Sequence, residues 1–371
     1  MLFTIDKDSL LNKLKIVEKV TAQRGNVQPV LANVLFEAED NILTLSATDL
    51  EISIKAKTTV AIKKEGKITL PAKKLLEIAA KLPDKPVEFS LNEDTNVVNI
   101  SCGNSKFEII GISAQEFPKI EDEIAGGTEI EIETEPFLKS IKNTVYAAAN
   151  YENRNVISGV FCLIKNNALE MAATDGNRLT RMIESIKNKN EKSAKIVIPS
   201  KTLNEFVRIC SFIAEEKIVL IVDKSRLTIK TTSFSINSRL IEGEYPPYEQ
   251  LIPKTTSNNA VVSRDDLINA LDRVSTMVYD RTSIVKFMFS DGQLTMKAET
   301  PNSGTSEDII DCKYTGDDLT IAFNYKYVLD SIKTMDAKEV KVGLNGSLSA
   351  TVFKPDSEEN YICLIMPIQI R

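Results

Sequence analysis

The side chains with the greatest chemical potential lie in one short segment, residues 173–179, which reads ATDGNRL. Asp175 could act as a general acid or base or as a Mg²⁺ ligand, with Arg178 as its nearest cation. Acid pairs elsewhere, such as Asp6 with Asp8, could do the same. The chain holds 52 acidic residues, and such residues usually lie on the solvated surface. Catalysis by carboxylates is therefore an alternative and not the leading interpretation.

The sequence lacks the residues on which most enzymes and metal sites depend. Histidine is absent from all 371 residues, which excludes hydrolases with a Ser-His-Asp or Cys-His arrangement. Neither GxGxxG nor GxxxxGK[ST], the usual glycine-rich phosphate cradles, occurs. The scattered, odd-numbered cysteines predict free core thiols without disulfides or zinc. They are Cys102, Cys162, Cys210, Cys312 and Cys363. We expect no catalytic residue, no cofactor and no metal.

The composition is that of an ordinary globular protein, with 43% hydrophobic residues, 26% charged residues and a net charge of −6. No apolar run approaches the length of a membrane span. The first eight residues lack the basic start and apolar stretch of a secretion signal. These features predict a cytoplasmic protein with no membrane partner.

A threefold internal repeat sets the architecture that must position these residues. A short alternating strand recurs 126 and then 125 residues later, at residues 43–47, 169–173 and 294–298. An apolar strand that runs into a helix follows each copy at a similar distance. Two landmarks that recur in register predict three structural units of similar size.

Each unit contains two amphipathic helices and alternating strands, a pattern typical of an α+β fold in which helices pack on antiparallel sheets. In the first helix, Leu10, Leu14 and Val17 form one apolar stripe. Segments rich in acidic residues and glycine, or in Thr, Ser and Asn, indicate two linkers. The linkers predict domains at residues 1–123, 124–253 and 254–371.

The predicted outward faces of the six helices are more basic than the chain as a whole. They carry seven acids, including Glu205, together with Tyr146. Ten cations lie on the same faces: Lys15, Lys19, Lys73, Lys81, Lys139, Lys142, Lys201, Arg208, Lys326 and Lys333. Such mixed faces are usually solvated surface. Faces that converged on one surface would form a track for phosphates that does not read bases.

Four features together resemble the bacterial sliding clamp, the beta subunit of DNA polymerase III. They are the threefold repeat, the motif ATDGNRL, the segment GEYPPY at residues 243–248 and the C-terminal LIMPI at residues 364–368. The resemblance extends over the whole chain. It implies a head-to-tail homodimer whose six domains form a ring around double-stranded DNA, with the helices inside and the sheets outside. Such a ring is a non-catalytic processivity factor that slides without sequence specificity.

The resemblance also implies which residues bind peptides, face DNA and form the dimer interface. The pocket for short linear motifs, between domains 2 and 3, comprises Ile157, Thr174, Gly176, Asn177, Arg178, Leu179, Pro246, Leu251, Asn324, Tyr327, Leu348, Met366, Pro367 and Ile368. Its partners are the DNA polymerase III alpha subunit, the clamp loader, other DNA polymerases and repair proteins. The DNA-facing residues are Arg24, Lys15, Lys19, Lys73, Lys139, Lys142, Arg154, Lys201 and Arg208. The dimer interface comprises Phe107 and Ile109 on an edge strand, which meet the region of Met277 on the other subunit.

Two other functions remain open from the residues alone. The chain could be a metal-dependent or acid-catalysed enzyme that uses Asp175, in which case Asp175→Asn would abolish a Mg²⁺-dependent turnover. It could also be a monomeric three-domain binding module that never closes a ring, which sedimentation would reveal.

Overall fold

The computed structural model describes residues 1–21, 28–120, 124, 126–150, 155–188, 191–279 and 283–369. Within these residues the chain forms six α-helices and 25 β-strands, numbered in chain order. The helices are α1 (Lys7–Glu18), α2 (Ala72–Lys81), α3 (Thr134–Thr144), α4 (Ser200–Cys210), α5 (Arg264–Val274) and α6 (Tyr325–Thr334).

The first of two compact units comprises Met1–Thr134, Lys187–Lys192 and Lys201–Leu240, and it contains two antiparallel sheets. The five-stranded sheet has the order β5 (Ala61–Lys64), β1 (Leu2–Ile5), β7 (Val87–Asn92), β8 (Val97–Cys102), β9 (Ser105–Ile110). The eight-stranded sheet has the order β10 (Thr128–Glu133), β15 (Lys217–Val222), β16 (Arg226–Lys230), β17 (Phe234–Arg239), β4 (Ile52–Thr59), β3 (Ile42–Thr48), β2 (Asn33–Glu39), β6 (Gly66–Pro71).

The second compact unit comprises Glu135–Ile186, Ser193–Ser200 and Ile241–Arg371, and it is built on one antiparallel array of twelve strands. Their order is β14 (Ala194–Pro199), β11 (Gly159–Lys165), β12 (Ala168–Thr174), β13 (Arg178–Ser185), β25 (Tyr361–Ile365), β24 (Thr351–Pro355), β23 (Glu339–Leu344), β18 (Asn258–Ser263), β21 (Gly304–Thr315), β20 (Gln293–Thr300), β19 (Ile284–Ser290), β22 (Leu319–Asn324).

The helices follow from capping and from apolar spacing. Asp6 caps α1 by accepting a hydrogen bond from the backbone N–H of Ser9 at 2.9 Å. Leu10, Leu14 and Val17 are fully buried, which confirms the predicted apolar stripe. Helix α2 begins directly after Pro71, and it packs against α1.

Successive repeats share sheets, which the sequence pattern did not predict. In the first unit, β17 of the second repeat pairs with β4 of the first repeat. In the second unit, β25 of the third repeat pairs in the same way with β13 of the second repeat. The middle repeat is consequently divided between the two compact units. Strand pairing, and not the repeat boundary, therefore defines each unit.

Two outward-facing predictions were wrong. The hydroxyl of Tyr146 lies 2.6 Å from the hydroxyl of Tyr361, and burial raises the pKa of Tyr146 well above its ordinary value. Glu205 is also buried, and this burial raises the pKa of its carboxyl group. Helical spacing located both residues at the margin of the apolar stripe, where packing of neighbouring elements decides which side chains are covered.

Candidate functional site

The ATDGNRL segment forms a tightly bonded turn between β12 and β13. The hydroxyl of Thr174 donates to the carbonyl of Arg178 at 2.6 Å, and the N–H of Gly176 donates to Thr174 Oγ1 at 3.1 Å. Asp175 Oδ1 accepts from the N–H groups of Asn177 and Arg178 at 2.9 and 3.0 Å. Gly176 has a φ of 90°, in the left-handed region that favours glycine. The carboxylate of Asp175 therefore holds the turn together.

Arg178 is the centre of the site. Its guanidinium donates to Asp175 Oδ2 at 3.0 Å, to Asp330 Oδ2 at 2.7 Å and to the carbonyl of Tyr146 at 2.6 Å. It also lies over the ring of Tyr327, 4.4 Å from the ring centroid. Only 10% of the Arg178 side chain is exposed. Burial opposes the charge, but the bonds to Asp330 and Asp175 outweigh it and raise the pKa of Arg178. Arg178 thus connects the turn to α6 and to the segment that follows α3.

The C-terminal segment lies against the same turn. After β25 ends at Ile365, the N–H of Met366 donates to the carbonyl of Asn177 at 2.9 Å. The N–H of Ile368 donates to the carbonyl of Ala322, in β22, at 2.8 Å. Asn324, at the end of the same strand, caps α6 by accepting from the N–H of Lys326 at 3.0 Å. The structure therefore brings residues that are far apart in sequence around one turn.

Exposed apolar side chains are frequent among the predicted pocket residues. Eight large apolar side chains are exposed in the described part of the chain, and Leu251, Leu348 and Met366 are three of them. An adaptable apolar surface of this kind suits Leu or Phe side chains of a bound peptide.

The remaining predicted pocket residues are less exposed. Ile157, Pro246, Pro367 and Ile368 are partly buried. Leu179 is buried and packs in a hydrophobic cluster with Phe161 and Tyr245. Leu179 is thus a packing residue, because its place in β13 directs it into that cluster.

Comparisons with known proteins agree across the chain. Models of the N-terminal, central and C-terminal domains of the DNA polymerase III beta subunit match residues 1–121, 131–247 and 249–369. The chain belongs to this family, the bacterial sliding clamps. It is 27% identical to the beta sliding clamp of Synechococcus elongatus over 98% of both chains, and 28% identical to that of Pseudomonas putida over the full length of both. It also resembles the crystal structure of the beta subunit from Thermotoga maritima, with a TM-score of 0.92, 29% identity and complete coverage of both chains.

Membership of the sliding-clamp family decides between the functions left open by the sequence. The family consists of non-catalytic processivity factors with α+β clamp domains, which confirms the predicted class and makes the enzyme hypothesis wrong. The geometry agrees, because both carboxylate oxygens of Asp175 already accept hydrogen bonds. Oδ1 accepts from two backbone N–H groups, and Oδ2 accepts from Arg178. Among the helices of the described residues, none combines the length and the hydropathy that a membrane span requires.

Four of the predicted DNA-facing residues keep an accessible charge in this clamp fold. Lys73 and Lys142 are exposed on α2 and α3, and Lys15 is partly exposed on α1. Lys19 follows α1, with Glu18 at 3.5 Å as its ion-pair partner. Arg24 and Arg154 lie outside the described residues.

Three others are held by carboxylates of their own chain. Lys139 Nζ lies 3.0 Å from an oxygen of Glu184 and 3.0 Å from one of Glu358. Lys201 Nζ is similarly held, 2.5 Å from Asp49 and 3.1 Å from Glu51. Burial lowers the pKa of each lysine, but the bonds to the carboxylates raise it by more. Two acids around each lysine leave a net negative charge.

Among the residues that the structure describes, Arg208 forms an ion pair with Glu205 at 2.8 Å. Because its side chain remains largely exposed, its charge can still act on a phosphate nearby. The sequence could not reveal the pairs of Lys139 and Lys201, because their acids come from other elements.

The predicted dimer residues lie on the edge strand β9 and in the turn that follows α5. On β9, Phe107 is partly exposed, but Ile109 is buried at 7% exposure while its neighbour Ile110 is 75% exposed. Met277 lies against the start of β21, where a Cβ on Gly304 would come within 3.2 Å of its Cε atom. Sequence reasoning missed Ile110 and the exposed Ile309 of β21. In a run of adjacent isoleucines, strand alternation alone does not say which one faces outward.

Proposed function

We propose that this chain is the processivity clamp of DNA polymerase III and works in the cytoplasm as a head-to-tail homodimer around duplex DNA. The observation that carries the proposal is the ordered match of all three beta-subunit domain models over almost the entire chain. Duplex threaded through a closed ring is retained by topology, so tight contacts are unnecessary.

The two joints within the chain suggest how two copies meet. Each joint pairs the last strand of one repeat's sheet with a strand of the preceding repeat: β17 with β4 and β25 with β13. By repeat position, the corresponding strands without such a partner are β9 and residues 304–311 of β21. In the described chain, β9 pairs only with β8, and residues 304–311 pair only with β20. Pairing β9 of one copy with β21 of the other would repeat the same joint and protect both edges.

Ile110→Asp is expected to convert the dimer to a monomer at micromolar concentration. The substitution places a charge on an apolar edge that the dimer would cover, and burying an unpaired charge is strongly unfavourable. Sedimentation velocity measures the outcome. Ile42→Asp is the matched control, because Ile42 is also an exposed isoleucine but lies on β3, which is paired on both sides. An Ile110→Asp protein that sediments as the wild-type dimer would rule out this edge.

The charge distribution supports non-specific sliding. The chain is acidic overall, at −6, so its general surface repels DNA. Lys15, Lys19, Lys73 and Lys142 then offer weak phosphate contacts that do not read bases. Lys139 and Lys201 are less suited to phosphate contacts than the sequence suggested, because carboxylates of the same chain compensate their charges.

Retention on DNA is expected to depend on DNA topology and not on affinity. After loading by the cognate clamp loader, the chain should remain on nicked circular plasmid through gel filtration. Cutting the circle once should release most of it, because the ring then slides off the ends. Retention that is equal on linear and circular DNA would contradict enclosure and favour direct binding.

We also assign to the site around Arg178 the binding of short linear motifs. Its proposed partners are the DNA polymerase III alpha subunit, the clamp loader, other DNA polymerases and repair proteins. The exposed Leu251, Leu348 and Met366 support this role, since apolar side chains that remain in water are available to a partner.

A further inference from the structure

The turn that presents the candidate peptide site has a second copy in the first compact unit, between β3 and β4. Thr48 Oγ1 donates to the carbonyl of Ile52 at 2.9 Å, and the N–H of Leu50 donates to Thr48 Oγ1 at 3.0 Å. Asp49 Oδ1 accepts from the N–H groups of Glu51 and Ile52 at 3.0 and 2.9 Å. These four bonds are those of the turn at residues 174–178, 126 residues earlier in the chain.

Leu50 corresponds to Gly176 in this turn, and both its backbone conformation and its exposure are unusual for a leucine. Its φ is 78°, in the left-handed region that a leucine seldom adopts. Its side chain is 57% exposed, so burial within the unit does not offset the backbone strain. Strained residues cluster at functional sites, so an apolar side chain displayed to solvent on a strained backbone motivates the search for a ligand here.

Two cavities adjoin Leu50, and both are lined by Leu50 and Pro118. The smaller one, about 230 Å³, has an apolar wall that includes Ile52, Ile120 and Leu227. The larger one, about 490 Å³, extends along residues 28–30. Because they share these two lining residues, we treat them as one groove, and its smaller cavity has room for an aliphatic side chain.

The polar groups of the smaller cavity favour a ligand that brings acceptors and negative charge. Asn237 Oδ1 accepts from Thr228 Oγ1 at 2.6 Å, while the buried Nδ2 of Asn237 has no acceptor among the described residues. Lys119 and Arg239 line the same cavity, are exposed, and lack an ion-pair partner in the described part of the chain. The cavity's acid, Glu51, is already bound to Lys201 at 3.1 Å.

We propose that this groove, bounded by Leu50, Pro118 and Arg239, is a second peptide site that binds an acidic, aliphatic segment of a partner protein. Its carboxylates pair with Lys119 and Arg239, a carbonyl or carboxylate oxygen accepts from Asn237 Nδ2, and an aliphatic side chain packs beside Leu50. The apolar wall favours a peptide over nucleic acid, because a phosphate backbone has no group to place there. This site is additional to the one around Arg178 and does not depend on it.

The test measures fluorescence anisotropy of a fluorescein-labelled peptide, Glu-Leu-Asp-Leu, with the full-length protein. Saturable binding is expected, and Arg239→Glu should weaken it at least tenfold. Lys57→Glu is the matched control, since it makes the same charge change at another exposed residue of the unit and should stay within twofold of wild type. Equal binding by Arg239→Glu and wild type, equal losses in the two variants, or no saturable binding would each overturn the proposal.

Leu50→Gly separates binding from folding. Glycine adopts a positive φ without strain, so the unfolding temperature should not fall. The loss of the leucine side chain should nevertheless lower the affinity for the probe. Unchanged probe affinity in Leu50→Gly would overturn the role of Leu50. Displacement of the probe by a 20-base-pair duplex would instead identify a phosphate site and also overturn the proposal.

Deletion of residues 366–371 distinguishes this site from the site around Arg178. The probe should bind the truncated protein as it binds wild type. If the truncation abolished probe binding, the probe would occupy the other site, and the second site would be refuted while the proposed clamp function remained.

Discussion

Deletion of residues 366–371 is expected to abolish binding of polymerase and clamp-loader peptides while leaving a folded dimer. The deletion removes the exposed Met366, together with Pro367 and Ile368, from the site around Arg178. Truncating a central apolar contact typically costs about 2–4 kcal/mol of binding free energy, or roughly 30- to 1,000-fold in affinity. Several such contacts are lost together, so the effect should lie at or beyond the upper end of this range.

The fold should survive this deletion for a specific reason. Strand β25 ends at Ile365, so the whole ladder between β13 and β25, from the Arg178–Ile365 pair to the Met182–Tyr361 pair, is retained. Among the described residues, the deletion removes only two backbone hydrogen bonds, from Met366 to Asn177 and from Ile368 to Ala322.

Surface plasmon resonance with immobilised peptides from the cognate alpha subunit and clamp loader measures the binding, and sedimentation checks the dimer. Met366→Ala should reproduce part of the loss. Ile42→Ala, which trims an exposed isoleucine of the first compact unit, should reproduce none of it. Undiminished peptide binding by the truncated protein would refute the proposed pocket.

Arg178→Ala is expected to destabilise the second compact unit by about 3–5 kcal/mol, the range found when one partner of a buried ion pair is removed. The substitution removes the side-chain donors to Asp175 Oδ2, to Asp330 and to the carbonyl of Tyr146. It also removes the cation that lies over Tyr327. The turn, α6 and the segment that follows α3 would lose their common contact.

Urea unfolding followed by circular dichroism measures this effect. Arg178→Lys should recover only part of the stability, because an ammonium group cannot donate in three fixed directions or stack on the ring as a guanidinium does. The control is Lys297→Ala, which removes an exposed ion pair with Glu307 at 3.2 Å in the same unit. Its cost should stay within about 1 kcal/mol. If the Arg178→Ala protein unfolded at the same urea concentration as this control, the cluster around Arg178 would contribute little to the free energy of unfolding.

The repeat explains why one chain presents a similar turn twice with different chemistry. Both turns keep the Thr and Asp that make the four hydrogen bonds, so the backbone shape is preserved. The side chains displayed on that shape have diverged: Gly176 and Arg178 in one copy correspond to Leu50 and Ile52 in the other. Backbone geometry is thus common to the two sites, whereas the choice of ligand depends on the individual side chains.

The repeat, the α+β class, the core stripes of the helices and the family can all be predicted from the order of the amino acids. These features rest on local periodicity, on fixed spacing and on motifs such as ATDGNRL, all of which can be read along the chain. The buried Leu10, Leu14 and Val17 illustrate this, because helical spacing alone placed them in the core. The absence of histidine likewise excluded whole classes of enzyme without any coordinates.

Which of these groups are available to a partner depends on contacts that form when the chain folds. Lys139 is neutralised by Glu184 and Glu358, acids that are distant in sequence but adjacent in the fold. Which isoleucine of β9 faces outward depends on the pairing of β9 with β8, since a one-residue shift exchanges the two faces of a strand. Long-range pairing brings together groups whose separation along the chain leaves no local pattern, and for that reason the joints between repeats, the neutralised lysines and the groove beside Leu50 emerged only from the folded chain.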